Sequence, residues 1–142
     1  MKIKIVHNQK MMNQALRIRE AVFINEQKVP LSEEVDEYDT TSTHYLVYNL
    51  KNRPVATCRT RAYKNKLKIE RVCVLKPYRG KKIGEKLMLH AEKEAQTQGF
   101  KGTMLSAQVQ VVPFYKKLGY QICSEPFIDS NIEHYLMEKN IN

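Results

Sequence analysis

The chain has 142 residues, 42% of them hydrophobic and 27% charged, which is enough for one domain with its own core and too few for two. Mean hydropathy is -0.54, and no apolar run approaches the ~20 residues of a membrane-spanning helix, so a helical membrane protein is excluded. Against 15 Asp and Glu stand 24 Lys and Arg, a net charge of +9 that suits nucleic acid, a membrane surface or a phosphorylated ligand.

The amino terminus, MKIKIVHNQK, alternates charged and apolar residues and has no signal-peptide pattern, which points to a cytoplasmic protein. Lys2 to Val6 reads as a strand. From Gln9 to about Gln27 the apolar residues Met12, Leu16, Val22 and Phe23 recur at helical spacing. Val29-Pro30 ends that helix, and the acidic run LSEEVDEYD, Leu31 to Asp39, reads as a loop. Two readings of the run stay open: a solvated loop, or a patch that draws in a cationic amine. His44 to Leu50 is the next strand, followed by the turn Lys51-Asn52-Arg53-Pro54. Val55 to Tyr63 and Leu67 to Leu75 form a hairpin about Lys64-Asn65-Lys66.

Pro77 stops the hairpin's second strand. Ile83, Leu87, Met88, Ala91 and Ala95 then mark one face of a long helix, with Gly99 as its left-handed stop. Gly102 to Ala107 is an apolar strand, and Pro113 opens a compact helix through Leu118 that Gly119 ends. Tyr120 to Cys123 and His134 to Met137 close the chain as strands. The expectation is a single α/β domain over residues 1–142, in the order β-α-β-β-β-α-β-α-β-β, with a mixed central sheet flanked by helices. Its exposed edge strands leave room for a homodimer.

Chemistry concentrates at one strand-to-helix junction, VCVLKPYRGKKIGEKLM, from Val72 to Met88. A strand ends, Gly80 turns the chain without bulk, and a helix begins near Ile83-Gly84. The unpaired N–H groups of a helix's first turn attract an anion, and Arg79, Lys81 and Lys82 add full charges beside them. Neither GxxxxGK[ST] nor GxGxxG is present. Cys58, Cys73 and Cys123 sit singly in apolar stretches, without a CxxC pair, and read as reduced thiols. His7, His44, His90 and His134 lack ligand spacing, so no metal site is expected.

VxVxxxYRGxxIG followed by an amphipathic helix resembles the acyl-coenzyme A signature of the GCN5-related N-acetyltransferases (GNAT). The family pattern is Arg or Gln, two residues, Gly, one residue, then Gly or Ala. Arg79 opens it here and Gly84 closes it, while Lys82 replaces the middle glycine. Phe114 to Tyr120 is similar to the family's FYxxxGF element. RxxVFxxEQ (Arg19 to Gln27) and AQxxxxxFYxxxGYxxxxxxFxxxxIxHxxM (Ala107 to Met137) resemble the ElaA/YjcF-like subgroup, with Glu133 where those proteins usually carry Pro before the late His.

The resemblance implies acetyl-CoA as co-substrate. It would be held by Val72, Cys73, Val74, Arg79, Gly80, Lys81, Lys82, Ile83, Gly84 and Glu85, with Gln108 and Tyr115. It implies direct acetyl transfer to a primary amine on a small molecule or peptide. Tyr115 would protonate the leaving sulfur, and a backbone N–H of Cys73 or Val74 would meet the oxyanion. Glu70, Glu26 and His134 are the candidate bases. Two competing expectations are a non-catalytic acyl-CoA-binding regulatory module and a small nucleic-acid-binding domain. No RNA- or DNA-binding motif supports the second, so neither nucleic acid nor a membrane is an expected partner.

Overall fold

The computed structural model describes residues 1–141. Its strands are β1 (Lys2–Ile5), β2 (Thr43–Tyr48), β3 (Pro54–Tyr63), β4 (Lys66–Val74), β5 (Gly102–Gln108), β6 (Gln121–Ile122), β7 (Phe127–Asp129) and β8 (Ile132–Asn140). The helices are α1 (Gln9–Arg19), α2 (Leu31–Glu34), α3 (Ile83–Thr97) and α4 (Val112–Lys117). One sheet runs β1-β2-β3-β4-β5-β8-β6, with β7 paired to β8 off that path. Every pairing is antiparallel except β4 with β5, whose parallel contact requires the crossover that α3 supplies. The expected mixed α/β architecture is therefore present.

Period-two alternation sends successive residues of β2 to opposite faces. Tyr45 and Val47 pack with Leu87, Met88 and Ala91 of α3, whereas Leu46 and Tyr48 pack with Met11, Ala15 and Ile18 of α1. Two apolar layers thus sandwich the sheet. Asn8 caps α1 by accepting the Met11 N–H at 2.8 Å. The buried stripe of that helix is Met11, Ala15, Ile18 and Val22, so Met12 and Leu16, expected on the core face, are only half-buried. Beyond Arg19 the helix loosens into a π-helical stretch, Glu20–Glu26, closed by the Gln27 N–H on the Val22 carbonyl at 3.1 Å. Helix α3 ends as expected at Gly99, φ +85°, with the Phe100 N–H returning to the Ala95 carbonyl at 3.0 Å.

Two expectations are corrected. The carboxyl-terminal region holds an additional hairpin, β7–β8, whose turn residues Ser130 and Asn131 adopt φ of 51° and 62°, the left-handed pair of a two-residue turn. The acidic run is not the plain solvated loop its composition suggests. It contains α2 and a 3₁₀ turn at Glu37–Thr40, and three of its carboxylates, Glu34, Asp36 and Asp39, turn inward to arginines while Glu33 and Glu37 stay exposed. Arg19, 1% exposed, donates to Glu34 at 2.8 Å and to Asp39 at 2.7 Å. Arg59, also 1% exposed, reaches Asp36 at 2.6 Å and Asp39 at 2.8 Å. Arg71 adds contacts to the Glu34 carbonyl and to Asp36.

Candidate active site

The site is made by strands that part. β4 and β5 pair over only three residues, Lys66 to Lys68 with Gly102 to Met104, and then diverge. A bulge in β4 assists this separation. Arg59 faces Glu70 while Thr57 faces Cys73, so β4 carries one extra residue, and Arg71 takes φ 57°. The gap opens into two cavities, of about 230 Å³ and 640 Å³. They share five lining residues, Phe23, Gln27, Val72, Val111 and Tyr115.

The larger cavity lies against the junction singled out by sequence. Val72, Cys73, Val74, Arg79, Gly80, Lys82, Ile83, Gly84, Glu85 and Tyr115 all line it, as does Glu26. Lys81 stands outside the lining, with its Nζ 5.8 Å from the centre of the Tyr78 ring. Gly80 has φ 80°, and Lys82, at the middle-glycine position, takes φ 61°. The backbone thus keeps the left-handed turn a glycine would make, at the cost of about 1 kcal/mol for a side chain there. Lys82 is also the N-cap of α3 and supplies no side-chain cap. The N–H groups of Ile83, Gly84 and Glu85 therefore remain available at a positive helix end. A Cβ on Gly84 would rest 3.6 Å from the Phe114 ring, ordinary contact, which explains why the motif accepts Gly or Ala there. This donor set suits a diphosphate.

Arg79 is held from two sides. Its Nε donates to the Val74 carbonyl at 2.9 Å, and its two Nη groups donate to the Glu26 carboxylate, each at 2.9 Å. The Leu75 N–H is bonded to Val55 of β3, so the Val74 N–H and carbonyl point the other way, to the edge β5 has left open. Cys73 then faces β3, and Val74 is the backbone donor available to the gap. The Cys73 thiol is buried, and burial pushes its pKa well above the ordinary value, so it stays protonated and is a poor nucleophile.

Glu70, Gln108 and His134 line the smaller cavity. Burial alone would raise the Glu70 pKa. A hydrogen bond from Arg61 at 2.8 Å and the charges of Arg59 and Lys68 outweigh it and hold the pKa below its usual value. That carboxylate is an ion-pair partner, poorly suited to take a proton. Glu26 lines the other cavity, committed to Arg79. His134 is different. Its Nδ1 lies 2.7 Å from the Ile132 carbonyl, which can only accept, so Nδ1 carries a hydrogen and Nε2 is the accepting nitrogen of the neutral ring. The ring stacks on Phe127 at 5.8 Å, which fixes its plane. Gln108, expected on the cofactor arm, instead donates to Gln27 at 2.7 Å on the acceptor side.

Tyr115 stands at the junction of the cavities, 8% exposed, with its ring against Phe114 and Tyr120. Burial raises its pKa well above the ordinary phenol value, so the hydroxyl stays protonated. Tyr120, at the end of the same motif, turns inward to Thr103 at 2.7 Å and Glu92 at 2.9 Å and serves packing. Gln27 lines both cavities and meets Gln108 of β5, a contact that nothing in the sequence spacing reveals. Among the described residues no cluster of His, Cys, Asp or Glu suits a metal ion, and no helix is long and apolar enough to cross a membrane.

Residues 7–141 match the model of the acetyltransferase (GNAT) domain. The chain is 43% identical to the uncharacterized N-acetyltransferase YjcF of Bacillus subtilis, over 99% of this chain and 100% of that one. It is 41% identical to the Bacillus subtilis protein YyaT, over 100% and 97% of the two chains. The crystal structure of Escherichia coli ElaA superposes with a TM-score of 0.88 at 25% identity, covering 99% of this chain and 100% of that one. The chain therefore belongs to the GNAT family, in its ElaA/YjcF-like branch, and is an acetyl-CoA-dependent acyltransferase.

Proposed function

We propose that the protein transfers acetyl from acetyl-CoA directly to a primary amine, with the thioester in the larger cavity and the amine in the smaller. The observation that carries this reading is the meeting of the two cavities at Tyr115, with a phosphate-suited helix end on one side and a histidine lone pair on the other. The coenzyme supplies an activated acyl group and a thiolate leaving group. Arg79, Lys82 and the N–H groups of Ile83 to Glu85 bind its diphosphate, and Lys81 adds charge at the rim. Val72, Cys73 and Val74 form the wall along which its arm lies.

His134 Nε2 takes the proton the amine must shed as its nitrogen attacks the carbonyl carbon. The Val74 N–H donates to the oxygen that gains charge in that attack. Tyr115 gives its proton to the sulfur as the carbon–sulfur bond breaks. The buried, protonated Cys73 supports direct transfer over an acyl-enzyme.

The test is thiol release from acetyl-CoA against small amines, polyamines, amino sugars and peptides. Tyr115→Phe and His134→Gln should each lower kcat about 10²- to 10⁴-fold while leaving CoA binding near wild type. CoA binding with no turnover on any amine, and no effect of Tyr115→Phe, would favour a regulatory acyl-CoA-binding module instead.

A further inference from the structure

Of the five residues that line both cavities, only Tyr115 and Gln27 carry a polar group on the side chain; Phe23, Val72 and Val111 are apolar. Gln27 is held in place by its backbone. Its N–H closes the π-helical stretch on the Val22 carbonyl, Lys28 turns the chain at φ 62°, and the Val29 N–H returns to Phe23 at 2.9 Å. Its side chain ends a line of three amides. Gln110 Nε2 donates to Gln108 Oε1 at 2.5 Å, and Gln108 Nε2 donates to Gln27 Oε1 at 2.7 Å.

Each donation polarises the next amide, so the last one becomes the strongest donor. The oxygen of Gln27 is thereby used. Its NH₂ makes no hydrogen bond among the described residues, and Gln27 lines both cavities.

We infer that Gln27 Nε2 donates to the acyl carbonyl oxygen of the bound thioester, as a second donor alongside the Val74 N–H; this rests on the acetyl-CoA reading above. The alternatives at the junction do not need a donor. An attacking amine has a proton to lose and calls for an acceptor. A thioester sulfur is a weak acceptor. The carbonyl oxygen is a strong acceptor, and it becomes more negative as the amine adds, so a donor there is worth most in the transition state. The fixed backbone and the anchored oxygen mean that little reorganisation is needed when that charge forms.

The experiment is infrared spectroscopy of acetyl-CoA labelled with ¹³C at the carbonyl, bound to wild type, Gln27→Met and Gln108→Met, with calorimetric titration of acetyl-CoA and of CoA. In wild type the carbonyl band should move to lower wavenumber on binding. Gln27→Met should lose most of that displacement and bind acetyl-CoA several-fold more weakly, with CoA affinity unchanged. Thiol release should fall about 10- to 100-fold in kcat, with KM for acetyl-CoA rising only by the several-fold loss of binding. Gln108→Met, which removes only the polarising donation and stands in should Gln27→Met fail to fold, should lose part of the displacement. A full band displacement retained in both variants, or equal loss of affinity for CoA and acetyl-CoA, overturns the inference. Wild type that binds neither ligand defeats the acetyl-CoA reading itself, and with it the assignment of Gln27.

Discussion

Arg59 offers the most direct test of the buried charge network beneath the acceptor cavity. Its guanidinium is 1% exposed and holds Asp36 at 2.6 Å, Asp39 at 2.8 Å and Glu70 at 3.2 Å. Arg59→Met keeps the volume and the apolar stem and leaves three carboxylates short of one cation. Breaking a buried ion pair costs about 3–5 kcal/mol. Each carboxylate keeps another arginine, Asp36 with Arg71, Asp39 with Arg19 and Glu70 with Arg61. The lower bound of about 3 kcal/mol therefore applies. An unfolding entropy of about 2.1 cal/mol/K per residue gives about 0.3 kcal/mol/K for 142 residues, and so a fall in Tm of about 10 °C. Thermal melting by circular dichroism at pH 7 reads this directly. Arg61→Met, which removes an arginine with more exposure and a single acidic partner, should cost about a third as much. A fall of less than about 3 °C for Arg59→Met would refute the reasoning and return the acidic segment to a solvated loop.

The pH dependence follows from His44. Its Nε2–H donates to the Asp39 carbonyl at 2.8 Å, and its buried Nδ1 has no hydrogen-bond partner among the described residues. Burial first, then the Arg19 and Arg59 charges, outweigh the Asp39 contacts and hold its pKa below 6.5. The unfolded chain thus takes up this proton at a higher pH than the folded one, so stability falls as pH drops through 6.5 and levels off below the folded value. His44→Gln should flatten the change in urea midpoint between about pH 7.5 and pH 5.5; an unaltered slope would assign the titration elsewhere. Gly102→Ala would place a Cβ 2.5 Å from the Lys139 carbonyl oxygen, forcing β5 and β8 apart at a cost of about 2 kcal/mol, measurable as a lower urea midpoint. Glu26→Gln should tighten CoA binding about three- to tenfold by calorimetry, because it removes the carboxylate that competes with a diphosphate for Arg79. Weaker binding in that variant would mean that Glu26 orients the arginine instead.

Local signals in the sequence carry the element order, because every helix but α2, and most strands, are marked over a few residues. Gly99 stops α3, and Pro113 lies in the first turn of α4. The β7–β8 hairpin escaped because Ser130 and Asn131 take the left-handed turn without glycine. The acidic run misled for a different reason. Its partners Arg19, Arg59 and Arg71 lie 15 to 38 residues away along the chain, and composition cannot distinguish charges that face water from charges that face one another.

The helix-end anion site is local in sequence, so it was legible from Arg79 to Glu85. The choice among candidate bases was not, because it depends on what else touches each group. Glu70 looked apt by position, yet Arg59, Arg61 and Lys68 converge on it and stabilise its charged form. His134 looked ordinary, yet one carbonyl at 2.7 Å fixes its tautomer and leaves the other nitrogen free to accept. The same rule separates Glu26 from its neighbour. Adjacent in sequence at the end of one π-helical stretch, Glu26 turns to Arg79 and Gln27 to Gln108, so the two residues serve opposite sides of the gap between β4 and β5. Any shift of that stretch as Arg79 exchanges its carboxylate for a diphosphate must also act on the amide at the junction. The coupling is testable: Glu26→Gln should alter the carbonyl band of bound acetyl-CoA only if the two contacts move together.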